Sequence, residues 1–148
     1  MLKIITSLLL FVFLTSCATY SEEDKGIFDQ QIQDYLTEKK MDCEKSESGL
    51  YYKIIEQGEG RKIKYSDQVS FKYRGELLNG RVFDDKKEPV DFYVKQLISC
   101  WKEVLLEINE GGKVFLVSPP QLGYGDHKLD DIPQNSILVF TLEVVEVK

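Results

Sequence analysis

Asn79-Gly80 constrains this chain more than any other pair of residues, because it separates two runs that alternate, VSFKYRGELL before it and RVFDD after it. Both central positions of a tight two-residue hairpin must tolerate positive φ, and Asn-Gly is the pair that does so best. Val69, Phe71 and Tyr73 alternate with Ser70, Lys72 and Arg74, the period of a half-buried strand. An ideal turn of this kind pairs residue 78 with 81, 77 with 82 and 75 with 84. Asp84 then shares a face with Tyr73, Leu77 and Val82, the face expected to be buried. An inward carboxylate is costly unless something hydrogen-bonds it, and the Tyr73 hydroxyl is the nearest donor. Gly75, opposite Asp84, gives the ladder room to bulge and re-aim Phe83. The competing reading is a strand that simply ends there, with Asp84 in water.

The rest of the chain supplies more strands and two helical periods. Ser21 followed by Glu22, Glu23 and Asp24 reads as a helix cap with acids in the first turn. Phe28, Ile32, Tyr35 and Leu36 then form a narrow apolar stripe running toward Lys40, one helix that either packs on the domain or mediates contacts or, the default reading, stands as a largely solvated spacer. Cys43 to Gly49 reads as a linker. Leu50–Glu56 is a strand, Val90–Val94 a further one, Lys113–Ser118 a buried one, and Ser136–Val147 the last, with Leu138, Phe140, Leu142 and Val144 on one face. Between them Leu97, Ile98, Trp101, Val104, Leu105 and Ile108 recur at helical spacing, and Asn109-Glu110-Gly111-Gly112 ends that period. A loop spans 119–135 and contains Gly123-Tyr124-Gly125. Several antiparallel strands around one short apolar helix make the class α+β.

Residues 1–16 read as a signal peptide, with Lys3 as the positive flank and Ile4–Leu14 as an apolar run too short to span a bilayer. Leu14-Thr15-Ser16-Cys17 resembles the lipobox of bacterial lipoproteins, in which the cysteine is diacylated and becomes the mature N-terminus. Acyl chains contribute about 0.8 kcal/mol per buried methylene, so two or three of them hold a protein on a membrane. Ala18 after the cysteine favours the outer membrane, facing the periplasm. The expected layout is therefore a signal over 1–16, a lipidated Cys17 with tether (18–21) and amphipathic helix over 17–46, and one folded domain over 47–148. Cys43 and Cys100 remain, either bridged or as two free thiols, with free thiols favoured.

A net charge of −6 leaves no basic footprint for nucleic acid. With a single histidine, His127, the chain has no zinc constellation, and it carries neither a nucleophile elbow nor a phosphate loop. What stands out is an aromatic set, Tyr73, Phe83, Trp101, Tyr124 and Phe140, around Asp84. Singly, each is an ordinary core aromatic. Tyr124, between two glycines in a polar loop, is placed to hang over something.

Taken in order, Ser48-Gly49-Leu50, Tyr73-Arg74-Gly75, Asn79-Gly80, Phe83-Asp84, Ile98, Trp101, Tyr124-Gly125, Ile132-Pro133 and Leu138-Val139-Phe140 resemble the FKBP-type peptidyl-prolyl isomerases over about 47–148. The anchored N-terminus resembles that family's lipid-anchored bacterial branch. The resemblance implies a curved antiparallel sheet, a half-barrel, wrapped around one short helix and here preceded by an N-terminal helix. It also implies a pocket for proline. Trp101 is its expected floor, with Tyr73, Phe83 and Phe140 as walls and Leu97 and Ile98 on the helix-side rim. Tyr124 is expected to offer its hydroxyl from the flap, Ile132 to close that side, and Asp84 to be the inward carboxylate held by Tyr73. Tyr73, Asp84 and Tyr124 are the expected catalytic set, with no cofactor and no metal.

The chain departs from the family pattern in places. The segment from Asp84 to Pro89 lacks the arginine that often pairs with the family aspartate, leaving Lys86 or Lys87 as the partner. Val90 stands where an aromatic wall is common, the connection from Val90 to Trp101 is short, and Asp130 and Asp131 occupy flap positions that are often apolar. These imply a shallower pocket. The expected function is cis-trans isomerisation of X-Pro bonds in proline-containing envelope clients, by a monomer anchored through lipid. The competing expectation is an FKBP-like binding or chaperone module that kept the groove and lost useful turnover.

Overall fold

The hairpin forms, but its turn has three residues. In the computed structural model, which describes residues 20–148, Leu77 donates its backbone N–H to the Arg81 carbonyl at 2.9 Å and Gly80 donates to Leu77 at 2.9 Å. Only Gly80 of the Asn-Gly pair takes positive φ, at 83°. The pairs expected between 78 and 81 and between 77 and 82 are thus replaced by Leu77 opposite Arg81 and Glu76 opposite Val82. A bulge at Phe83 then takes up the one-residue slip, and Gly75 comes opposite Asp84 as the sequence implied. Val82 consequently points outward, 38 % exposed, and does not join Tyr73 and Leu77 on the inner face.

The hairpin strands are β3 (Gln68–Leu77) and β4 (Val82–Tyr93), preceded by α1 (Glu22–Glu38), β1 (Glu44–Lys45) and β2 (Tyr51–Glu56). After them come α2 (Ser99–Leu105), β5 (Lys113–Ser118) and β6 (Leu138–Val147). The strand expected over Val90–Val94 is the far half of β4, separated from the near half by a second register shift opposite Phe71–Tyr73. All six strands pair antiparallel in the order β1-β2-β5-β6-β3-β4, and the sheet curves around α2. That is the expected α+β architecture. The α2 helix is shorter than its apolar period, because Val94–Gln96 is a 3₁₀ turn and Ile98 is extended at the cap. Leu97 and Ile108 keep the helical spacing but are buried from the flanking turns.

The inner face of the sheet and α2 enclose the main core, in which Leu50, Phe71, Leu105, Leu116, Leu138 and Leu142 are fully buried. The outer face is covered as well. Ile32 and Leu36 of α1 pack with Tyr51, Phe115, Val117, Ile137 and Val139. The expectation of a largely solvated spacer helix is therefore wrong: α1 is part of the fold, and Ile32 is wholly buried. The cause lies in β5, where both alternations, Phe115 and Val117 against Val114 and Leu116, are apolar, so both faces need cover. A polar seam ties the helix down: Asp29 accepts from the Tyr51 hydroxyl at 2.9 Å and pairs with Lys45 at 2.6 Å. Ser21 is the expected cap, and Asp24 makes it reciprocal by accepting from the Ser21 backbone N–H.

Of the expected tether, Tyr20 is buried and packs its ring edge-on against Phe28 at 5.3 Å between centroids. Cys43 and Cys100 are free thiols, Cys43 beside the α1 cluster and Cys100 in the inner core, with the sheet between them. Burial pushes the Cys100 thiol up to about 12, so it is an inert core side chain. Among the described residues no helix is long and apolar enough to cross a membrane. Cys17 and the apolar run Ile4–Leu14 lie outside the described residues.

Candidate active site

The bulge at Phe83 does for the site what a regular ladder does not. Two successive residues, Phe83 and Asp84, sit opposite one, Gly75, so both reach the inner face. Gly75 has no room for a side chain. A Cβ there would lie 2.6 Å from the Phe83 ring and 2.8 Å from that of Phe140, its partner across on β6. The glycine thus lets the two rings meet edge to face at 5.6 Å.

Around them stands a closed set of aromatic contacts. Trp101, in the first turn of α2, has its centroid 4.8 Å from Tyr73, 5.0 Å from Phe140 and 5.3 Å from Phe71, each contact edge-on. Alternation on β3 brings Phe71 and Tyr73 to the same face, and the β6 register puts Phe140 beside Gly75. Among the described residues the buried Trp101 indole Nε1 has no hydrogen-bond partner. An orphaned buried donor costs about 1–3 kcal/mol, and such groups call for a functional explanation.

Asp84 is the polar member. The Tyr73 hydroxyl donates to Asp84 Oδ2 at 2.5 Å, and Lys86 Nζ lies 3.2 Å from Oδ1. Lys86 therefore takes the place left by the missing arginine; it stands opposite Tyr73 in the ladder. Burial raises the Asp84 carboxyl, but the hydrogen bonds from Tyr73 and Lys86 more than offset it and hold the group below the usual carboxylate range. Burial, and then the bond to Asp84, raise the Tyr73 phenol. Tyr73 thus stays a neutral donor and Asp84 an ionised acceptor at neutral pH. The reading in which Asp84 is merely solvated fails.

The flap closes the cluster from the other side. Tyr124 is half-buried against the inner core, and its phenol is raised by burial first and then by Cys100 and Asp84, which places it in the field of the carboxylate. Ile132 is buried in the same core, as is Leu97, and Ile98 is half-buried at the start of α2. Of the nine expected site residues within the domain, Leu97, Trp101, Ile132 and Phe140 are buried in the inner core, Tyr73, Phe83, Ile98 and Tyr124 pack against it, and Asp84 is bonded to Tyr73. Sequence reasoning missed Phe71, which backs Trp101, although its place in the β3 alternation was visible. It also missed Arg81, which donates to the Asp131 carbonyl at 2.7 Å and ties the hairpin tip to the flap. The acidic flap residue that departs from the family pattern is thus a docking point for the hairpin. Val90 sits opposite Phe71, and the exposed Phe92 stacks on Phe71 at 5.8 Å next to it.

Comparison with known proteins bears on this geometry directly. Residues 59–145 match the FKBP-type peptidyl-prolyl cis-trans isomerase family. The FKBP-type peptidyl-prolyl cis-trans isomerase FkpA of Buchnera aphidicola is 38 % identical over 135 residues, 86 % of this chain and 54 % of that one. The crystal structure of FkpA from Escherichia coli superposes with a TM-score of 0.74 at 36 % identity, covering 86 % of this chain and 62 % of that one. The crystal structure of AtFKBP13 superposes with a TM-score of 0.68 at 29 % identity, covering 72 % of this chain and 99 % of that one. The chain spans about half the length of the curated relatives it matches, 54 % and 47 % for two of them. With the family match covering more than half of its residues and the fold superposing throughout the domain, this chain belongs to the FKBP-type peptidyl-prolyl cis-trans isomerase family.

Proposed function

We propose that this protein catalyses cis-trans isomerisation of X-Pro bonds in client polypeptides of the bacterial envelope, held to a membrane by lipid on Cys17. The observation that carries the isomerase reading is the aromatic cluster with its orphaned Trp101 donor beside a carboxylate held by Tyr73 and Lys86. The uncatalysed rotation crosses about 18–20 kcal/mol and takes tens to hundreds of seconds. The planar imide is strongly dipolar, whereas the twisted transition state has lost its resonance. An apolar surface formed by Trp101, Phe83 and Phe140 disfavours the planar state relative to the twisted one. The proline ring would sit on Trp101 with Leu97, Ile98 and Ile132 at its margins, and the Tyr124 hydroxyl would hold the carbonyl as it turns. Asp84 and Tyr73 would keep the wall polar at one point and fixed in position. No covalent step and no cofactor enter this chemistry.

The lipobox-like Leu14-Thr15-Ser16-Cys17 supports anchoring, and Ala18 supports the outer membrane with the domain facing the periplasm. The domain is taken as a monomer acting on unfolded or partly folded chains. A proline-peptide isomerisation assay tests the activity, read together with the emission of Trp101, the single tryptophan. Accelerated isomerisation and a peptide-dependent change in emission are expected. Confirmed peptide binding with no acceleration would instead favour the binding-module reading. For the anchor, Cys17→Ser is expected to release the protein from membranes; unchanged retention with normal processing would remove that part of the proposal.

A further inference from the structure

The flap that carries Tyr124 and Ile132 closes at a narrow neck. Asn135 donates its backbone N–H to the Gly125 carbonyl at 2.8 Å, and Gly125 donates to Pro120 at 2.9 Å. Asn135 takes φ of +59°, a conformation that asparagine reaches more readily than most side chains but that still needs support. Its support comes from outside the matched family region. The Tyr20 hydroxyl donates to Asn135 Oδ1 at 2.7 Å, across 115 residues of sequence. Tyr20 is itself held, because its ring packs edge-on against Phe28, and Phe28 packs against the outer-face cluster. A continuous line of contacts therefore runs from the outer face of the sheet through α1 to the neck of the flap. Behind the flap, between Tyr20, Lys25 and Gln121 on one side and Tyr124, Gly125 and His127 on the other, lies a cavity of about 430 Å³. The flap is not backed there by close packing, so the Tyr20 contact is a strut across a gap.

We propose that Tyr20 is a positioning residue for the isomerase: by holding Asn135 it keeps the flap neck closed, so that the Tyr124 hydroxyl stays at the substrate carbonyl. This rests on the site reading above, in which Tyr124 meets the substrate. Tyr20 touches no substrate. It acts through Asn135, and it couples the segment just before α1 to the neck of the flap.

The test uses the full chain. Tyr20→Phe removes one hydroxyl and keeps the ring on Phe28. It is expected to lower kcat by roughly threefold to tenfold, the loss of one neutral hydrogen bond, with KM nearly unchanged because the aromatic cluster is untouched. Amide exchange at Gly125 and Asn135 should accelerate while the thermal midpoint holds. Asn135→Gly keeps the positive φ but removes the acceptor, so adding Tyr20→Phe to it should cost nothing further. Wild-type turnover and unchanged exchange in Tyr20→Phe would overturn the proposal, as would full additivity in the double variant. Tyr124→Phe separates the two readings. If it lowers turnover while Tyr20→Phe does not, the strut alone falls. If Tyr124→Phe leaves turnover intact, the site reading falls and takes the strut with it.

Discussion

The two faces of this sheet are built from alternate residues of the same strands, yet they solve different problems. On the outer face Tyr51, Phe115, Val117 and Val139 meet Ile32 and Leu36, and the polar groups at that seam are paired: Asp29 with Lys45, Tyr51 and Gln33. On the inner face rings stand edge to face, a tryptophan donor is left without a partner among the described residues, and a carboxylate points inward. The Asp29 seam is fully paired, although Gln121 Oε1 beside it is buried without a partner among the described residues; on the inner face the orphaned group is the Trp101 donor, set among the rings. Unsatisfied groups and partly exposed rings are what a surface keeps when it is made to receive something, whereas a fully paired seam is made to stay shut. The bulge at Phe83 and the bare Gly75 are where the shared ladder gives up regularity to make that difference.

The largest effect expected from this contrast is on stability. Leu36→Ala, at the end of α1 far in sequence from Tyr20, removes a side chain that is only 6 % exposed on the outer face. It should cost about 2–5 kcal/mol in denaturant unfolding, while turnover per folded molecule stays within roughly twofold. A variant with unchanged stability would mean that α1 rests on the sheet without contributing to it.

The mirror experiment lies on the inner face. Asp84→Leu removes an inward charge and leaves Tyr73 without its acceptor. Folding should survive, since the site is partly open to water and an apolar side chain suits the wall. Hydrogen bonds to charged groups contribute about 1.5–3 kcal/mol, so isomerase activity should fall by roughly tenfold or more. Loss of stability with activity retained would reverse the assignment of the two faces.

Much of this division was legible in the residues. The β3 alternation and the buried run of β5 follow from period, whereas the residues alone suit a solvated Asp84 at a strand end and only the family resemblance turns it inward. The turn was misread because Asn-Gly suits both a two-residue loop and a three-residue one. Only the pairing of Leu77 with Arg81 decides between them, and the bulge that restores Gly75 to Asp84 is a compensation no local pattern announces. The role of α1 was missed for a different reason. Its stripe is narrow, and judged by itself it suits water; that it is buried follows from the doubly apolar β5, a residue pattern 75 or so positions further on that must be read together with it. Tyr20 and Arg81 were invisible because their partners, Asn135 and an Asp131 carbonyl, are brought near only by the finished fold.

The smallest effect is also the one that separates the faces most cleanly, because each carries a depressed carboxylate. For Asp29, burial raises the pKa, and Lys45 and Tyr51 bring it below the ordinary value; for Asp84, burial likewise raises it, and Tyr73 and Lys86 bring it down. A carboxyl whose folded pKa is depressed stabilises the fold above its unfolded value, near 4, and loses that contribution as pH falls through the folded value. Both residues therefore weaken the fold in acid, but only Asp84 touches the site. Stability and turnover should both be flat from neutral pH to about 5 and decline below about 4. Lys86→Met removes the charge that helps depress Asp84, so the acid limb of turnover should move to higher pH. Lys45→Met should leave that limb alone and move only the stability curve. The Asp84 side chain is 36 % exposed, so the shift is screened by water and shrinks further in high salt. A turnover limb that stays put in Lys86→Met, or one that moves equally in Lys45→Met, would show that acid acts on this protein through the fold as a whole and not through the carboxylate on its inner face.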